Sequence, residues 1–310
     1  MKILVNRKIV EGPWGGGNKF VRGFYQYASN YGSEITNVMS SDIDAILMIN
    51  PYQTSDLMMG INELLQFKSM FPHIKLIHRV NDKNIGRIPV DTRFDDLYKE
   101  CSKHCEGTVF VSKWLEEYYQ KKTWHCHGNT VIHNGVDRSI FKKSEDKLSK
   151  QNGKINIVTH HWSANEGKGF PIYEALDEFC EKHKDRFTFT YIGRHPGRFK
   201  YCNVIDPIFG NELGETLSRY DLAISASQYE SGPNHVLEAL ACEIPVLLID
   251  RSGGGLEFID PKNYFSDWTS LEKLLLSGDY VKEIGYHPDT MEDCVENYVK
   301  FIRKLVQGQQ

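Results

Sequence analysis

QYESGPNHVLEALACEIP, residues 228–245, follows an apolar run at 222–227 that predicts a strand, and it is the stretch that decides the fold. It carries two carboxylates, Glu230 and Glu238, with seven residues between them. A turn at 231–234 separates the acids, and apolar residues then recur at helical spacing, which predicts Glu230 in a loop and Glu238 in a helix. Helix N-termini at the carboxyl ends of parallel strands bind anions, so we expect a phosphate beside Glu230.

The composition is that of a soluble globular protein, with 310 residues, 40% of them hydrophobic and 25% charged. No run approaches the roughly 18 apolar residues of a membrane span, and Arg7 and Lys8 interrupt the first strand too soon for a signal peptide. Seven cysteines, an odd number, favour reduced thiols. We therefore expect a cytoplasmic protein that could contact a membrane peripherally.

Net charge gives no general drive toward nucleic acid, because the chain carries −4 at pH 7. We therefore expect no nucleic-acid partner. The oligomeric state is left open by the sequence.

Strands alternate with helices along the whole chain, which predicts parallel sheets covered on both faces. Short apolar runs predict strands at 3–6, 45–50, 75–80, 108–112, 130–133, 155–160, 187–192, 203–205, 222–227 and 246–250. A Lys-rich segment, 142–154, has the composition of an interdomain linker. The fold class is therefore α/β, with two doubly wound Rossmann-like domains at 1–145 and 154–289 facing across a cleft.

Candidate ligand-binding residues follow several strands. The loop Gly12–Asn18 contains three consecutive glycines that would let amides approach a ligand, although a flexible turn explains them equally well. His78 ends a strand, with Arg79 and Asp82 as near-equal candidates, because strand alternation lets only one of His78 and Arg79 face the cleft. Lys168 precedes a helix between two glycines and could add a point charge to a bound diphosphate.

A zinc site is a rival interpretation of the first domain. Cys101, His104 and Cys105 share a helical face, and His125, Cys126 and His127 follow about twenty residues later. The spacing is not Cys-x-x-Cys, and a buried helix face would show the same pattern. A zinc-stabilised interaction module is the function that this rival would imply.

The two acids, followed by Ala-Leu-Ala-Cys at 239–242 and Pro245-Val246, resemble the donor-binding motif of the retaining glycosyltransferases of family four, which have the GT-B fold. Asn-Gly-Val-Asp at 134–137 resembles the interdomain signature of that family. The resemblance implies that Glu230 contacts the transferred sugar and that Glu238 contacts the ribose. It also implies that a C-terminal helix at 290–310 crosses back onto the first domain.

The same resemblance assigns roles to further residues. The glycine loop would face the donor phosphates and the acceptor, His78 would reach the donor sugar, and the segment ending at Ile208 would lie against the base. Lys168 matches a lysine of the family, but the arginine that accompanies it is missing, and His160, His161 or Ser163 occupies its neighbourhood. Arg194 or Arg198 would have to substitute for it. The predicted catalytic residues are Glu230, His78 and Lys168, and the predicted donor-binding residues are Gly16, Gly17, Asn134, His161, Ser163, Lys168, Arg194, Ile208, Gly232, Pro233, Asn234, His235 and Glu238.

The function that the resemblance implies is transfer of a sugar, with retention and without a metal or other cofactor, from a nucleoside-diphosphate sugar to an unidentified acceptor. Two alternatives share the fold: a catalytically weakened sugar-nucleotide-binding protein, motivated by the missing arginine, and a nucleotide-sugar epimerase. Glu243 stands where the family has a glycine after the motif helix, so either its φ is strained or the turn differs.

Overall fold

The computed structural model describes residues 1–12, 15–52, 57–86, 93–121 and 128–308. The chain divides into two compact units, Val136–Pro288 and the combination of Met1–Gly135 with Asp289–Gln310. Each unit contains a parallel six-stranded sheet with helices packed on it. Within the described residues, no helix combines the length and the apolar character needed to cross a membrane.

The sheet of the first unit has the strand order β2-β1-β3-β4-β5-β6. Its strands are β1 (Lys2–Val5), β2 (Glu34–Thr36), β3 (Ala45–Met48), β4 (Lys75–Val80), β5 (Gly107–Phe110) and β6 (Asn129–Val131), and its first helices are α1 (Gly15–Tyr27), α2 (Ile61–Met70), α3 (Arg93–Ser102) and α4 (Lys113–Gln120). β3 and β5 are buried throughout their length, and β4 is buried beyond its first residue, as expected for a parallel sheet covered on both faces.

The sheet of the second unit has the order β12-β11-β10-β7-β8-β9. Its strands are β7 (Ile155–His161), β8 (Phe187–Gly193), β9 (Asn203–Ile205), β10 (Leu222–Ser225), β11 (Val246–Ile249) and β12 (Tyr264–Phe265). Its helices are α5 (Ser149–Asn152), α6 (Phe170–Lys182), α7 (Gly210–Leu217), α8 (Asn234–Ala241) and α9 (Trp268–Ser277), with a short 3₁₀ turn at Glu166–Lys168. Because neighbouring strands run parallel, their carboxyl ends meet at one edge.

The last helix, α10 (Met291–Val306), belongs to the first unit. A capping box starts it, in which the hydroxyl of Thr290 accepts from the backbone amide of Asp293 at 3.0 Å. Tyr298, on its buried face, lies 4.8 Å from the ring of Phe20 in α1. Gly135 has no side chain for a packing reason, because a Cβ there would lie 2.4 Å from the carbonyl oxygen of Thr290. The start of α10 thus packs directly against the Asn-Gly turn.

The lysine-rich segment at 142–154, predicted as a linker, lies within the second unit, and the first unit ends at Gly135 rather than at the predicted 145. Lys147 donates to the carbonyl oxygens of Ser218 and Tyr220, at 2.8 and 3.0 Å. A lysine in this place neutralises the negative end of α7. The polar composition therefore reflects helix capping as well as exposure.

Two short strands and one helix start differ from the sequence-based expectation. β2 and β12 have three and two residues, too few to give a periodic signal. The glycines predicted in a loop form the first turn of α1, which begins at Gly15, and Pro13 and Trp14 lie outside the described residues.

Glu243 adopts the left-handed conformation, with φ of 54°. Its amide donates to Leu240 O, and the amide of Ile244 donates to Ala239 O, both at 3.0 Å, so this turn ends α8 as a glycine would. The first of the two sequence-based alternatives, a strained φ, therefore describes this position. The side chain forms an exposed ion pair with Lys143 at 3.2 Å.

Replacing Glu243 by glycine is expected to raise the free energy of unfolding of the second unit by about 1 kcal/mol, because glycine has no Cβ to strain at positive φ. Urea unfolding followed by circular dichroism measures the change. Glu243→Ala is the matched control: it also removes the exposed ion pair but keeps the strain, so it should give no such gain. Equal effects of the two substitutions would show that the backbone is not strained here.

Candidate functional site

The candidate site lies at the carboxyl edge of the second sheet. β10 pairs with β7, and β7 pairs with β8, so the residues that follow His161, Gly193 and Ser225 emerge at the same edge. The loop after β10 leads through Pro233 into α8, and the 3₁₀ turn that carries Lys168 leads into α6. The amide of Gln228 donates to Gly167 O at 2.9 Å and joins the two loops.

An ion pair joins these loops a second time. Lys168 Nζ lies 2.5 Å from Glu230 Oε1, with side chains that are 16% and 21% exposed. The hydroxyl of Ser227 donates to the same carboxylate oxygen. Burial, the largest single influence, would raise the pKa of Glu230, but the charge of Lys168 together with the neighbouring charges and the hydrogen bonds from Lys168 and Ser227 outweighs it and lowers the pKa to about 2. Glu230 is therefore a carboxylate throughout the physiological range.

The backbone around Glu230 is also fixed. Tyr229 has φ of 54°, a conformation that non-glycine residues rarely adopt. The amide of Glu230 donates to Ser252 O at 2.6 Å, and its carbonyl accepts from the amide of Gly254 at 2.8 Å. The glycine-rich turn after β11 thereby holds Glu230 in place, and local strain is stored next to the acid.

The second acid is held by a histidine. His160 Nε2 lies 2.8 Å from Glu238 Oε2, and both residues are buried. His161, the next residue of β7, points to the other face of the sheet, where its Nε2 lies 2.8 Å from the hydroxyl of Tyr173. The hydroxyl oxygen of Tyr173 in turn accepts a hydrogen bond from the amide of Ala226, just after β10, at 2.9 Å.

A third histidine packs against the first two. The ring of His235, in the first turn of α8, lies 4.7 Å from that of His161 and 6.0 Å from that of His160. Its Nε2 lies 2.7 Å from Ser225 Oγ. Burial lowers the pKa of His235 to about 3 and that of His161 well below its ordinary value, so both rings are neutral at pH 7. They shape the site without adding charge to it.

Comparison with known proteins connects this geometry to a family. Residues 200–274, which include the strand, both acids and α8, match the family model described as glycosyl transferases group 1. No curated protein matches the sequence.

The chain has the GT-B fold, and its residues 200–274 resemble the group 1 glycosyltransferases.

Solved structures with this fold match nearly the whole chain. The sucrose-phosphate synthase of Thermosynechococcus elongatus matches with a TM-score of 0.66 at 11% identity, covering 99% of this chain and 96% of that one. Anabaena Alr3699/HepE, solved in complex with UDP and glucose, matches with a TM-score of 0.66 at 14% identity, covering 99% and 98%. The pneumococcal O-GlcNAc transferase GtfA, in complex with UDP and GlcNAc, matches with a TM-score of 0.64 at 14% identity, covering 94% and 61%. At these identities the likeness concerns the fold, and the finer assignment to family four stays a prediction.

The structure brings five of the predicted site residues into one cluster, formed by Lys168, Glu230, His161, His235 and Glu238. Gly232, Pro233 and Asn234 form the turn and the start of α8 beside it. Ser163 follows β7 and accepts from the side chain of Asn165 at 2.8 Å. Ile208 is half-buried and packs against the core of the second unit.

Arg194 and Arg198 follow β8, as the substitutes predicted for the missing arginine. The guanidinium carbon of Arg194 lies 4.1 Å from the ring centroid of Trp162, just after β7. Arg198 is occupied by ion pairs with Glu174 at 2.7 Å and Glu166 at 3.7 Å. Arg194 is therefore the better placed of the two.

The remaining predicted residues, His78, Gly16, Gly17 and Asn134, belong to the first unit. His78 is fully buried in β4, 4.9 Å from the ring of Tyr98, and burial lowers its pKa to about 3. Gly16 and Gly17 lie in the first turn of α1, and Asn134 Oδ1 accepts from Arg79 Nη2 at 2.8 Å. The roles of these four residues toward a donor stay predictions.

A zinc site finds no support among the residues described, where no group of three His, Cys, Asp or Glu residues is arranged to hold a metal ion. Cys101 and Cys105 are buried thiols in or near α3. His125, Cys126 and His127 lie outside the described residues, so the six-residue arrangement itself stays a prediction.

A cavity of about 560 Å³ in the second unit lies away from the two acids. Its lining includes Asn156, Thr188, Asn203 and Arg219, along the starts of β7 and β8 and along β9. Neither Glu230 nor Glu238 lines it. Since ligands of open α/β sheets gather at the opposite, carboxyl edge, the acid cluster remains the better candidate site.

The sequence does not indicate which side chains contact the two acids. His160 was one of three candidates for the neighbourhood of the missing arginine, and its contact with Glu238 depends on which face of β7 it occupies. Ser227 and Tyr173 gave no signal, because each acts through a contact between segments that are distant in sequence or bent by a turn.

The stability of the second unit is expected to decrease as pH falls, in two overlapping windows with different upper limits. His235 has a folded-state pKa below its unfolded value, so its contribution is present above about pH 6.5 and is lost as pH falls toward 3. The depressed pKa of Glu230 contributes stability above about pH 4.5, on the order of 3 kcal/mol, that is lost as pH falls toward 2.

Urea unfolding of Glu230→Gln and His235→Gln between pH 7 and pH 2.5 measures these windows. The stability difference between wild type and Glu230→Gln should shrink only below about pH 4.5, whereas that of His235→Gln should change from about pH 6.5 downward. Parallel pH curves for all three proteins would contradict the assigned protonation states.

Proposed function

We propose that this glycosyltransferase moves a sugar, with retention of configuration and without a resident metal or other cofactor, from a nucleoside-diphosphate sugar to an acceptor hydroxyl. The observation that carries the proposal is the cluster at the start of α8, where Lys168 contacts Glu230 and His160 contacts Glu238. Anabaena HepE and pneumococcal GtfA, which share the fold, were solved with UDP and a sugar, and this supports a nucleoside diphosphate as the donor here.

The diphosphate would be stabilised by Lys168 and by the N-terminus of α8. In the transfer, the bond from the anomeric carbon to the diphosphate oxygen breaks, and its electron pair leaves with the diphosphate. Charge therefore grows on the leaving group, and a fixed cation and helix dipole placed beforehand stabilise that charge most in the transition state. Arg194, stacked on Trp162, would add a second cation in place of the missing arginine.

Glu230 would accept hydrogen bonds from the hydroxyls of the transferred sugar. The ion pair with Lys168 keeps it ionised, and a carboxylate near the sugar stabilises the positive charge that develops on the ring. The acceptor hydroxyl attacks the same face from which the diphosphate leaves, and its proton passes to the departing diphosphate oxygen. Because attack and departure occur on the same face, the configuration at the anomeric carbon is retained.

Glu238 would contact the ribose hydroxyls, with His160 positioning its carboxylate. The pair is buried, so the orientation of the carboxylate is fixed before the nucleotide binds. The backbone near Ile208 would lie against the base, which leaves the identity of the base unspecified by side chains.

A cytoplasmic location fits this chemistry and the thiols. The six cysteines for which the structure gives a state are free, as expected in a reducing compartment. We propose no nucleic-acid partner, and contact with a membrane surface stays a prediction.

Lys168→Ala is expected to raise the Kd for UDP more than about tenfold, because it removes the cation beside the diphosphate. Glu230→Gln should bind UDP but lose transfer by more than about a hundredfold, because it lacks the negative charge near the sugar. Titration calorimetry with UDP, and transfer or hydrolysis assays over a panel of UDP-, GDP-, ADP- and TDP-sugars, measure the two effects.

Lys182→Ala, at the far end of α6, is the matched control and should change neither quantity. If Lys168→Ala bound UDP as wild type does, the proposed donor site would be wrong. If wild type bound a donor but never turned it over, and Glu230→Gln made no difference, the weakened sugar-nucleotide-binding protein would be the correct interpretation. An inverted anomeric linkage in the product, seen by NMR, would contradict retention.

A further inference from the structure

Arg79, in β4 of the first unit, is a buried cation. It is 1% exposed, and its guanidinium donates a hydrogen bond from Nη2 to Asn134 Oδ1 at 2.8 Å. Its Nε and Nη1 atoms are buried without a hydrogen-bond partner in the described residues. The guanidinium carbon stacks 4.2 Å from the ring centroid of Phe20, which offsets part of the cost of burial but supplies no counter-charge.

Arg7 brings a second positive charge to the same place. It follows β1 and is half-buried, and burial together with the charge of Arg79 lowers the pKa of its guanidinium. Neither arginine has a carboxylate partner in the part of the chain described. Two desolvated like charges repel, and each costs several kcal/mol unless an opposite charge compensates it. The two arginines therefore favour the binding of an anion beside them.

The start of α1 completes the surroundings of Arg7. The first turn of this helix is Gly15-Gly16-Gly17-Asn18, which contains no acid. A Cβ on Gly17 would lie 2.9 Å from Nη1 of Arg7 and 3.9 Å from Nδ2 of Asn81, so the missing side chain makes room for these donors beside the helix. β1 and β4 are both joined to β3 in parallel, so Arg7, Arg79 and Asn81 all lie toward the carboxyl edge of the sheet.

We propose that Arg7, Asn81 and the start of α1, with Arg79 behind them, bind an acidic group, a phosphate or a carboxylate, of the acceptor. The assignment of this anion to an acceptor rests on the proposed function, whereas the binding of an anion at this site does not. The donor diphosphate is the less suitable occupant, because the second unit already offers it a lysine and a helix N-terminus. The acceptor class is therefore an acid-bearing hydroxyl compound, such as a phosphorylated or uronic sugar.

The probe is inorganic phosphate, added in the presence of saturating UDP so that the site in the second unit is already filled. Phosphate should then still raise the melting temperature of the wild type, because it binds the folded state alone. Arg7→Gln should weaken phosphate binding more than about tenfold. The same variant should melt higher than the wild type when phosphate is absent, because it relieves the repulsion from Arg79.

Arg22→Gln is the matched control, since Arg22 lies in α1 but pairs with Glu11. It should keep the phosphate response of the wild type. Arg79→Lys keeps a positive charge at the buried position. This variant should retain part of the rise in melting temperature that phosphate causes in the wild type.

Three results would overturn the inference. The anion site is excluded if Arg7→Gln responds to phosphate as the wild type does. If phosphate no longer has an effect once UDP is saturating, the anion belongs to the nucleotide site. If an acid-bearing acceptor and its uncharged analogue are used equally well, and Arg7→Gln changes neither KM, the anion does not belong to the acceptor. Failure of UDP itself to bind would instead count against the proposed function, and phosphate binding alone would still test the arginine pair.

Discussion

The contact between Lys168 and Glu230 is the interaction on which the candidate site depends. It ties the loop before α6 to the loop before α8, and the amide of Gln228 on Gly167 O ties them again. Because the strands are parallel, both loops lie at one edge of the sheet. Burial at that edge would favour a protonated Glu230, and the contact with Lys168 helps to keep the carboxylate ionised. A cation for a leaving diphosphate and an anion for a sugar thus stabilise each other before any ligand arrives, which is the preorganisation that glycosyl transfer needs.

The histidines extend this arrangement to the second acid. His160 contacts Glu238, and the rings of His161 and His235 beside it are neutral at pH 7 because burial lowers their pKa values. Positive charge is instead present in the first unit, where Arg7 and Arg79 lie close together. Each unit therefore combines a helix N-terminus with basic side chains. In the second unit an acid compensates the basic charge, whereas no carboxylate among the described residues pairs with Arg7 or Arg79 in the first.

The sequence was sufficient for the fold class and for the two acids, because period-two and helical patterns and a fixed spacing are local properties. Which side of β7 carries His160 and which carries His161 could not be decided, because that depends on the phase of the strand relative to its neighbours. The strands β2 and β12 are too short for a pattern. The lysines of 142–154 have the composition of a linker, and their capping of α7 involves carbonyl groups that are distant in sequence. The strained φ of Glu243 was one of two alternatives that only coordinates separate.

The most direct measurement of the central claim is a crystal structure of the protein with UDP bound. The account places the diphosphate within hydrogen-bond distance of Lys168 Nζ and of the first-turn amides of α8, with the ribose hydroxyls at Glu238. A nucleotide found instead in the cavity lined by Thr188, Asn203 and Arg219, with the Lys168 and Glu230 pair untouched, would contradict it.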